Sequence, residues 1–489
     1  PMKGVNQSDV IFDIQNSNKK LVLAMVGLPG RGKSYYASKL SRYLSWLGYS
    51  TKVFNLSLYR RKRVGSQPSS FFDPNNSENV QTREEVAIDA LNDMQTFLQQ
   101  GGHAAIYDGT NITRKRRKMI KQHLEESDIR GTLCWVESIN TEKEVDGSSF
   151  AASPDYTGWQ EQQVDKDFTK RVQHYQQQYE SIADEEIGMD EGYVQILDHG
   201  KKVIGRNISG YLLGRIMFFL SNLRVNKNPI WISRHGESIY NTKSLLGGDS
   251  SLSAKGRCYA SVLARFTAAE KELSGKPRFG EHGLAIWCST LKRTIQTATA
   301  TAKHCTVASA GMPVSWKALD EIDAGIFDGY TYKQIEAEAN SEHVSRKRDK
   351  LNYRYPQGES YTDVIRRLEP VIFELERAQR PVLVVGHQAV LRCLYGYFLD
   401  LPLEKIPFHS VPLHCVIKLT PTAYGCKEQR FDMEPAVQTE LRLATKGQPA
   451  QLQTSSTSAI LSSSSPPPPS PAPKHNTSFK QPDTIPSLL

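Results

Sequence analysis

At 489 residues the chain is long enough for two or three domains. An apolar fraction of 39% and an aromatic fraction of 9% supply buried cores and exclude a wholly disordered or collagen-like chain. The longest apolar run, Tyr211–Leu220, is interrupted by Arg215 and falls short of the roughly 18 residues that cross a bilayer. A net charge of +9 suits anionic partners without choosing among phosphorylated metabolites, nucleic acid and acidic lipid. Pro1–Ile14 has no long apolar stretch, so no secretory signal is expected. Seven scattered cysteines without a CxxC pair argue against a disulfide framework or a zinc ribbon and point to a reducing, cytoplasmic setting.

In chain order, Leu21–Val26, Lys52–Asn55, Ala104–Tyr107, Thr132–Val136 and Val194–Leu197 are expected as buried strands. Helical spacing falls on Gly32–Leu47, Glu84–Leu98 and Arg114–Glu126, the alternation of a parallel α/β sheet, with Ile208–Leu223 as a closing helix. Asn226–Pro229 is a hinge candidate. A second α/β unit with its own core comes next: strands at Pro229–Ser233, Leu284–Cys288 and Val382–Gly386, and helices at Ser253–Thr267, Thr290–Lys303, Tyr361–Arg377 and Gln388–Leu399. After Pro435 the composition shifts, and the Ser/Thr/Pro-rich stretch Thr454–Pro473 cannot bury enough apolar surface to fold. The expected division is 1–19, 20–228, 229–435 and a disordered tail over 436–489.

Gly27-Leu28-Pro29-Gly30-Arg31-Gly32-Lys33-Ser34 fits G-x-x-x-x-G-K-[ST] between a strand and a helix. Backbone N–H groups of such a loop, continuing into Tyr35 at the helix start, cradle phosphate oxygens. Lys33 is placed for the β- and γ-phosphates and Ser34 for Mg²⁺. The competing reading is a glycine-rich turn with no ligand. Asp108, ending an apolar strand, is the expected second metal-side carboxylate; its alternative is a helix cap. The basic runs Tyr59–Arg63 and Arg114–Arg117 are expected around an anionic acceptor. Neither comes with the aromatic platform of a nucleic-acid site.

In the second unit, Ser233-Arg-His-Gly-Glu-Ser238 places Arg234 and His235 at a strand end, and Gly386-His-Gln-Ala389 does the same for His387. A neutral imidazole attacks phosphorus when cations neutralise the phosphoryl oxygens and an acid protonates the leaving alcohol. Arg293 and Glu321 supply those groups. A single strand-end histidine is ordinarily structural; two with separate Arg and Glu motifs read as a site.

Together these residues resemble the histidine phosphatase superfamily. With the P-loop unit, residues 20 to about 432 resemble the bifunctional 6-phosphofructo-2-kinase/fructose-2,6-bisphosphatase family, including Asp320-Glu-Ile-Asp-Ala-Gly325, Tyr353-Arg-Tyr-Pro-Gln-Gly-Glu-Ser360 and Tyr397-Phe-Leu-Asp400. The resemblance implies an N-terminal kinase using ATP and Mg²⁺ and a C-terminal phosphatase needing no cofactor. The shared compound is fructose 2,6-bisphosphate, made from fructose 6-phosphate and hydrolysed through a phosphohistidine at His235, in a cytoplasmic homodimer without nucleic-acid or membrane partners. It assigns catalysis to Lys33 and Asp108 in the kinase and to Arg234, His235, Arg293, Glu321 (proton donor) and His387 in the phosphatase. By the same resemblance, Arg60, Arg83, Thr110, Arg116, Arg171 and Tyr175 bind fructose 6-phosphate. Asn241, Gly247, Tyr332, Arg346, Lys350, Tyr361, Gln388 and Arg392 bind the bisphosphate. Two departures fall in the kinase: Phe150 where the family carries a lysine, with Lys143 a candidate substitute, and Asn140 where it carries a cysteine. They keep open a phosphatase-only alternative with a weak or nucleotide-sensing P-loop; a scaffold docking partners through its tail is the remaining reading.

Overall fold

The computed structural model describes residues 20–127, 129, 131–140, 153–224, 228–273, 283–304, 312–422 and 425–445. The first half alternates β1 (Lys20–Val26), α1 (Lys33–Trp46), β2 (Thr51–Asn55), α2 (Leu56–Val64), α3 (Ser77–Gln99), β3 (Ala104–Asp108), α4 (Arg114–Glu126), β4 (Gly131–Ile139), α5 (Glu161–Gln176), β5 (Gly192–Leu197), β6 (Lys202–Arg206) and α6 (Tyr211–Asn222). The sheet order is β2-β3-β1-β4-β5-β6, parallel except for β6, which pairs antiparallel with β5. Side chains of the central strands are buried on both faces, as the continuous apolar runs require.

The second half contains β7 (Ile230–Arg234), α7 (Ile239–Thr242), α8 (Ala254–Leu273), β8 (Ala285–Cys288), α9 (Lys292–His304), β9 (Val314–Ser315), α10 (Tyr332–Glu338), α11 (Asn340–Arg348), α12 (Tyr361–Arg377), β10 (Val382–Gly386), α13 (Gln388–Phe398), β11 (Cys415–Pro421), β12 (Cys426–Asp432) and α14 (Glu434–Thr445). Its sheet runs β12-β11-β7-β10-β8-β9, with β11 antiparallel to both β7 and β12. Among the described residues no helix is long and apolar enough to cross a membrane.

Two expectations change. Helix α14 carries ordered chain to Thr445, beyond the boundary expected at 435, because Val437 is fully buried in an apolar cluster with Met433 and Arg265 of α8 pairs with Glu440 at 2.7 Å. Residues 446–489, including Thr454–Pro473, lie outside the described residues, as do 226 and 227 of the hinge candidate. The two halves also do not keep separate cores. One apolar cluster runs from β1 through α1 and α6 into α12, α13 and β10, because α1 is buried both toward its own sheet and toward the second half. Trp46 Nε1 donates to the Cys393 carbonyl at 3.0 Å, and Lys39 pairs with Glu376 at 2.7 Å.

Candidate active site

Strand register builds both sites. In the first sheet β1 lies between β3 and β4, with Ala24 opposite Tyr107 and Val26 opposite Glu137. The loop starting at Gly27 therefore opens beside Asp108 and Ser138. Gly27 has φ +135°, and a Cβ there would meet the Ser138 carbonyl oxygen at 2.4 Å, so the position requires glycine. The Ser138 hydroxyl in turn donates to the Arg31 carbonyl, fixing the far side of the loop. Lys33 is buried, and its Nζ donates to the Leu28 carbonyl at 2.6 Å. Burial pulls the Lys33 ammonium down to about 8, the charge of Asp108 opposing and those of Arg171 and Arg31 assisting. The Tyr35 hydroxyl donates to the Arg224 carbonyl at 3.0 Å, which leaves its backbone N–H as the part expected in the phosphate cradle.

Asp108 is buried, and burial pushes its carboxyl up while hydrogen bonds from Ser34 and Asn55 and the Lys33 charge hold it down. It is not a helix cap, since Thr113 caps α4. Asn55, which sequence reasoning passed over, links two parts of the site: its Oδ1 accepts the Leu58 N–H to cap α2, and its Nδ2 donates to Asp108. The Ser34 hydroxyl and the Asp108 carboxylate are hard oxygen ligands of the kind Mg²⁺ takes. They are too few to bind it alone, which fits a metal shared with nucleotide phosphates.

The expected acceptor residues gather around Phe72, another residue missed from sequence. The guanidinium carbons of Arg171 and Arg60 stand 3.9 and 5.3 Å from its ring centre, Tyr175 lies 5.7 Å away, and Arg83 Nη1 donates to its carbonyl at 3.1 Å. Arg116 reaches the Arg83 carbonyl at 3.4 Å. The Thr110 carbonyl accepts the Gly27 N–H at 2.9 Å, tying this edge to the phosphate loop. Other members of the basic runs are spent elsewhere. Arg117 is buried on Glu186, Lys115 pairs with Glu84, and Arg63 pairs with Glu85 and Asp89. The Phe–Phe pair in Ser69-Ser-Phe-Phe72, isolated in a polar stretch, was the signal available for Phe72. Phe150 and Lys143 lie outside the described residues; Asn140 contacts His199 Nε2 at 2.8 Å.

In the second sheet Gly386 is opposite Arg234, so His387 and His235 leave neighbouring strands side by side, their ring centres 5.0 Å apart. The His235 N–H donates to the Gly386 carbonyl at 3.0 Å. Its Nδ1 donates to the Gly236 carbonyl at 2.6 Å, which leaves Nε2 unprotonated. Arg293 Nε lies 3.2 Å from both His235 Nε2 and His387 Nδ1 and shares its one N–H between them. His387 Nε2 is therefore the protonated nitrogen, and Ser289 Oγ receives it at 2.7 Å. Both imidazoles are held well below the usual histidine range by burial, reinforced by the Arg293 and Arg234 charges, so both are neutral. Burial also lowers Arg234, to about 10, which leaves it charged at neutral pH.

Glu321 accepts the N–H groups of Gln388 at 3.0 Å and Ala389 at 3.1 Å, which pins its carboxylate at the start of α13 facing the histidines. A cavity of about 370 Å³ opens above this floor. Arg234, His235, Asn241, Gly247, Arg293 and Glu321 line it, as do Tyr332, Arg346, Lys350, Tyr361, Gln388 and Arg392. His387 lies fully buried beneath. Gly247 has φ +62°, and a Cβ would overlap the Asp328 carboxylate at 1.7 Å. Tyr355, which accepts from Arg346 Nε at 2.8 Å, and Ser289 extend the expected set.

The 6-phosphofructo-2-kinase family model matches residues 9–227, and the histidine phosphatase superfamily (branch 1) model matches residues 230–433. The 6-phosphofructo-2-kinase/fructose-2,6-bisphosphatase 1 of Rattus norvegicus is 42% identical over 419 residues, covering 84% of each chain. The chain belongs to this bifunctional family. The 6-phosphofructo-2-kinase/fructose-2,6-bisphosphatase 4 of Macaca fascicularis is also 42% identical, over 427 residues and 86% of each chain. Family membership accounts for the pairing of a phosphate loop and a two-histidine floor on one chain.

Proposed function

We propose that this chain makes fructose 2,6-bisphosphate from ATP and fructose 6-phosphate and hydrolyses it back to fructose 6-phosphate and phosphate, opposing steps that regulate glycolysis and gluconeogenesis. In synthesis, Lys33 and the loop N–H groups hold the nucleotide phosphates, and the arginines around Phe72 hold the sugar phosphate. Magnesium, when bound at Ser34 and Asp108, neutralises charge on the transferring phosphoryl group. The 2-hydroxyl oxygen bonds to the γ-phosphorus as the bond to the β-phosphate oxygen breaks and ADP leaves, and a carboxylate oxygen of Asp108 takes the hydroxyl proton.

In hydrolysis, His235 Nε2 forms a bond to the phosphorus of the 2-phosphate as the bond to the sugar oxygen breaks, and Glu321 gives that oxygen its proton. Water then attacks the phosphohistidine, returning a proton to Glu321 and releasing phosphate. Arg234 and Arg293 hold the phosphoryl oxygens through both steps, and His387 orients Arg293 from beneath through its Nδ1 lone pair. The observation that carries this half is the unprotonated Nε2 of a neutral His235, met by Arg293 Nε at 3.2 Å on the floor of a cation-lined cavity. A cytoplasmic homodimer completes the reading, supported by family resemblance and by cysteines that are free at every described position.

The reading is tested by incubating the chain with γ-labelled ATP and fructose 6-phosphate, and separately with 2-labelled bisphosphate. Labelled bisphosphate is expected in the first, labelled protein and phosphate in the second; absence of either removes that activity.

A further inference from the structure

Asp155 is a buried carboxylate among three guanidinium groups. Its Oδ2 stands 2.6 Å from Arg60 Nη2 and 3.2 Å from Arg171 Nη1, and its Oδ1 lies 3.4 Å from Arg61 Nη1. The Asp155 side chain is 2% exposed and that of Arg60 5%, so this is an enclosed cluster rather than a surface ion pair. Arg60 and Arg171 share the Phe72 ring as a platform, and the Arg171 charge is felt at Lys33 in the phosphate loop. Each guanidinium keeps one buried nitrogen with no partner: Nη1 of Arg60 and Nε of Arg171. These are not the nitrogens that bind Asp155. A buried N–H left unpaired costs free energy unless a ligand takes it.

We propose that Asp155 is a positioning residue of the acceptor site: it clamps one edge of Arg60 and of Arg171 so that their unspent N–H groups face the sugar phosphate. The proposal rests on the reading of this cluster as the fructose 6-phosphate site. Two guanidiniums on one ring repel each other, and the carboxylate between them removes that repulsion before substrate arrives. Three arginines and one aspartate also leave two positive charges, which match a phosphate dianion. The neighbouring arginines hold Asp155 below the usual carboxylate range despite its burial, so the clamp stays charged through neutral and mildly acidic pH.

The test compares the full chain with Asp155→Asn, close in shape but uncharged, and Asp155→Glu, which keeps the charge one methylene further out. Binding of fructose 6-phosphate is measured by calorimetry with a non-hydrolysable ATP analogue present, together with kinase kcat and both KM values. For Asp155→Asn we expect a tenfold or greater rise in Kd and KM for fructose 6-phosphate, kcat within threefold and KM for ATP unchanged. Asp155→Glu should recover part of the loss. Unchanged bisphosphatase rates report that both variants fold. Fructose 6-phosphate binding by Asp155→Asn equal to or tighter than the parent's overturns the clamp, as does an equal rise in both KM values. Should Asp155→Asn fail to fold, Asp155→Ser decides: fructose 6-phosphate binding at the parent's affinity overturns the clamp. A parent that does not bind fructose 6-phosphate overturns the acceptor-site reading, and the clamp with it.

Discussion

The Ser289 hydroxyl lies 2.7 Å from Nε2 of His387, and this contact fixes which imidazole nitrogen carries the proton. Thr294 donates its own hydroxyl to the Leu291 carbonyl at 2.8 Å, so it is left to accept from Ser289 at 2.6 Å, and Ser289 to accept from His387. With Nε2 protonated, Nδ1 is the lone pair that Arg293 meets. Ser289→Ala removes the acceptor and frees the other tautomer, whose Nδ1–H would point at the Arg293 N–H. A bisphosphatase kcat about tenfold lower is expected, equivalent to about 1.4 kcal/mol, with kinase rates unchanged. Hydrolysis within twofold of the parent would show that Ser289 does not set the tautomer.

The same two histidines make stability depend on pH. His235 and His387 are buried and neutral when folded, with their pKa values depressed, whereas in the unfolded chain each takes a proton near pH 6.5. Below that pH the unfolded state binds more protons, so stability falls as pH falls. The slope reaches about 1.4 kcal/mol per pH unit for each histidine. Denaturant midpoints measured at pH 7.5 and 5.5 should drop on acidification for the parent, and drop less for His387→Gln. Equal drops would mean His387 is not held neutral.

Helix α14 gives a second stability prediction. Val437 is fully buried in the cluster it shares with Met433, and Glu440 pairs with Arg265. Ending the chain at Asp432 should lower the melting temperature by several degrees, since roughly 2–4 °C accompanies each kcal/mol in a unit of this size. Ending it at Thr445 should leave the melting temperature unchanged, because residues 446–489 are dominated by serine, threonine, proline and glutamine and offer few side chains to a core. Equal melting temperatures for the two truncations would show that α14 adds nothing to the fold.

Much of this was legible in the sequence, for a physical reason. Strands buried on both faces need continuous apolar runs, so Leu21–Val26 and Val382–Gly386 announce themselves, and the motifs at their ends inherit their position. Edge elements carry weaker signals. Cys426–Asp432 is mostly polar and becomes β12 only by pairing with β11, while α5 buries just Val164 and Phe168 and so shows no full stripe. The first turns of α3 are polar, which hid its start at Ser77 behind the apolar run from Val86. Two of the missed site residues act through contacts distant in sequence. Asp155 and Arg60 are 95 positions apart, and Ser289 and His387 are 98 apart. No local pattern encodes such a pairing.

The central claim is that one chain runs two chemistries with separate reacting groups, and labelled phosphate tracks it most directly. The parent, Lys33→Met and His235→Ala are each supplied with γ-labelled ATP and fructose 6-phosphate, and then with 2-labelled fructose 2,6-bisphosphate. Lys33→Met should lose synthesis and keep both labelled phosphoenzyme and phosphate release. His235→Ala should keep synthesis, lose the phosphoenzyme and fall below about one hundredth of the parent's hydrolysis rate, as loss of a covalent nucleophile requires. A parent that hydrolyses the bisphosphate but makes none, or a His235→Ala variant that still forms phosphoenzyme, would contradict the account.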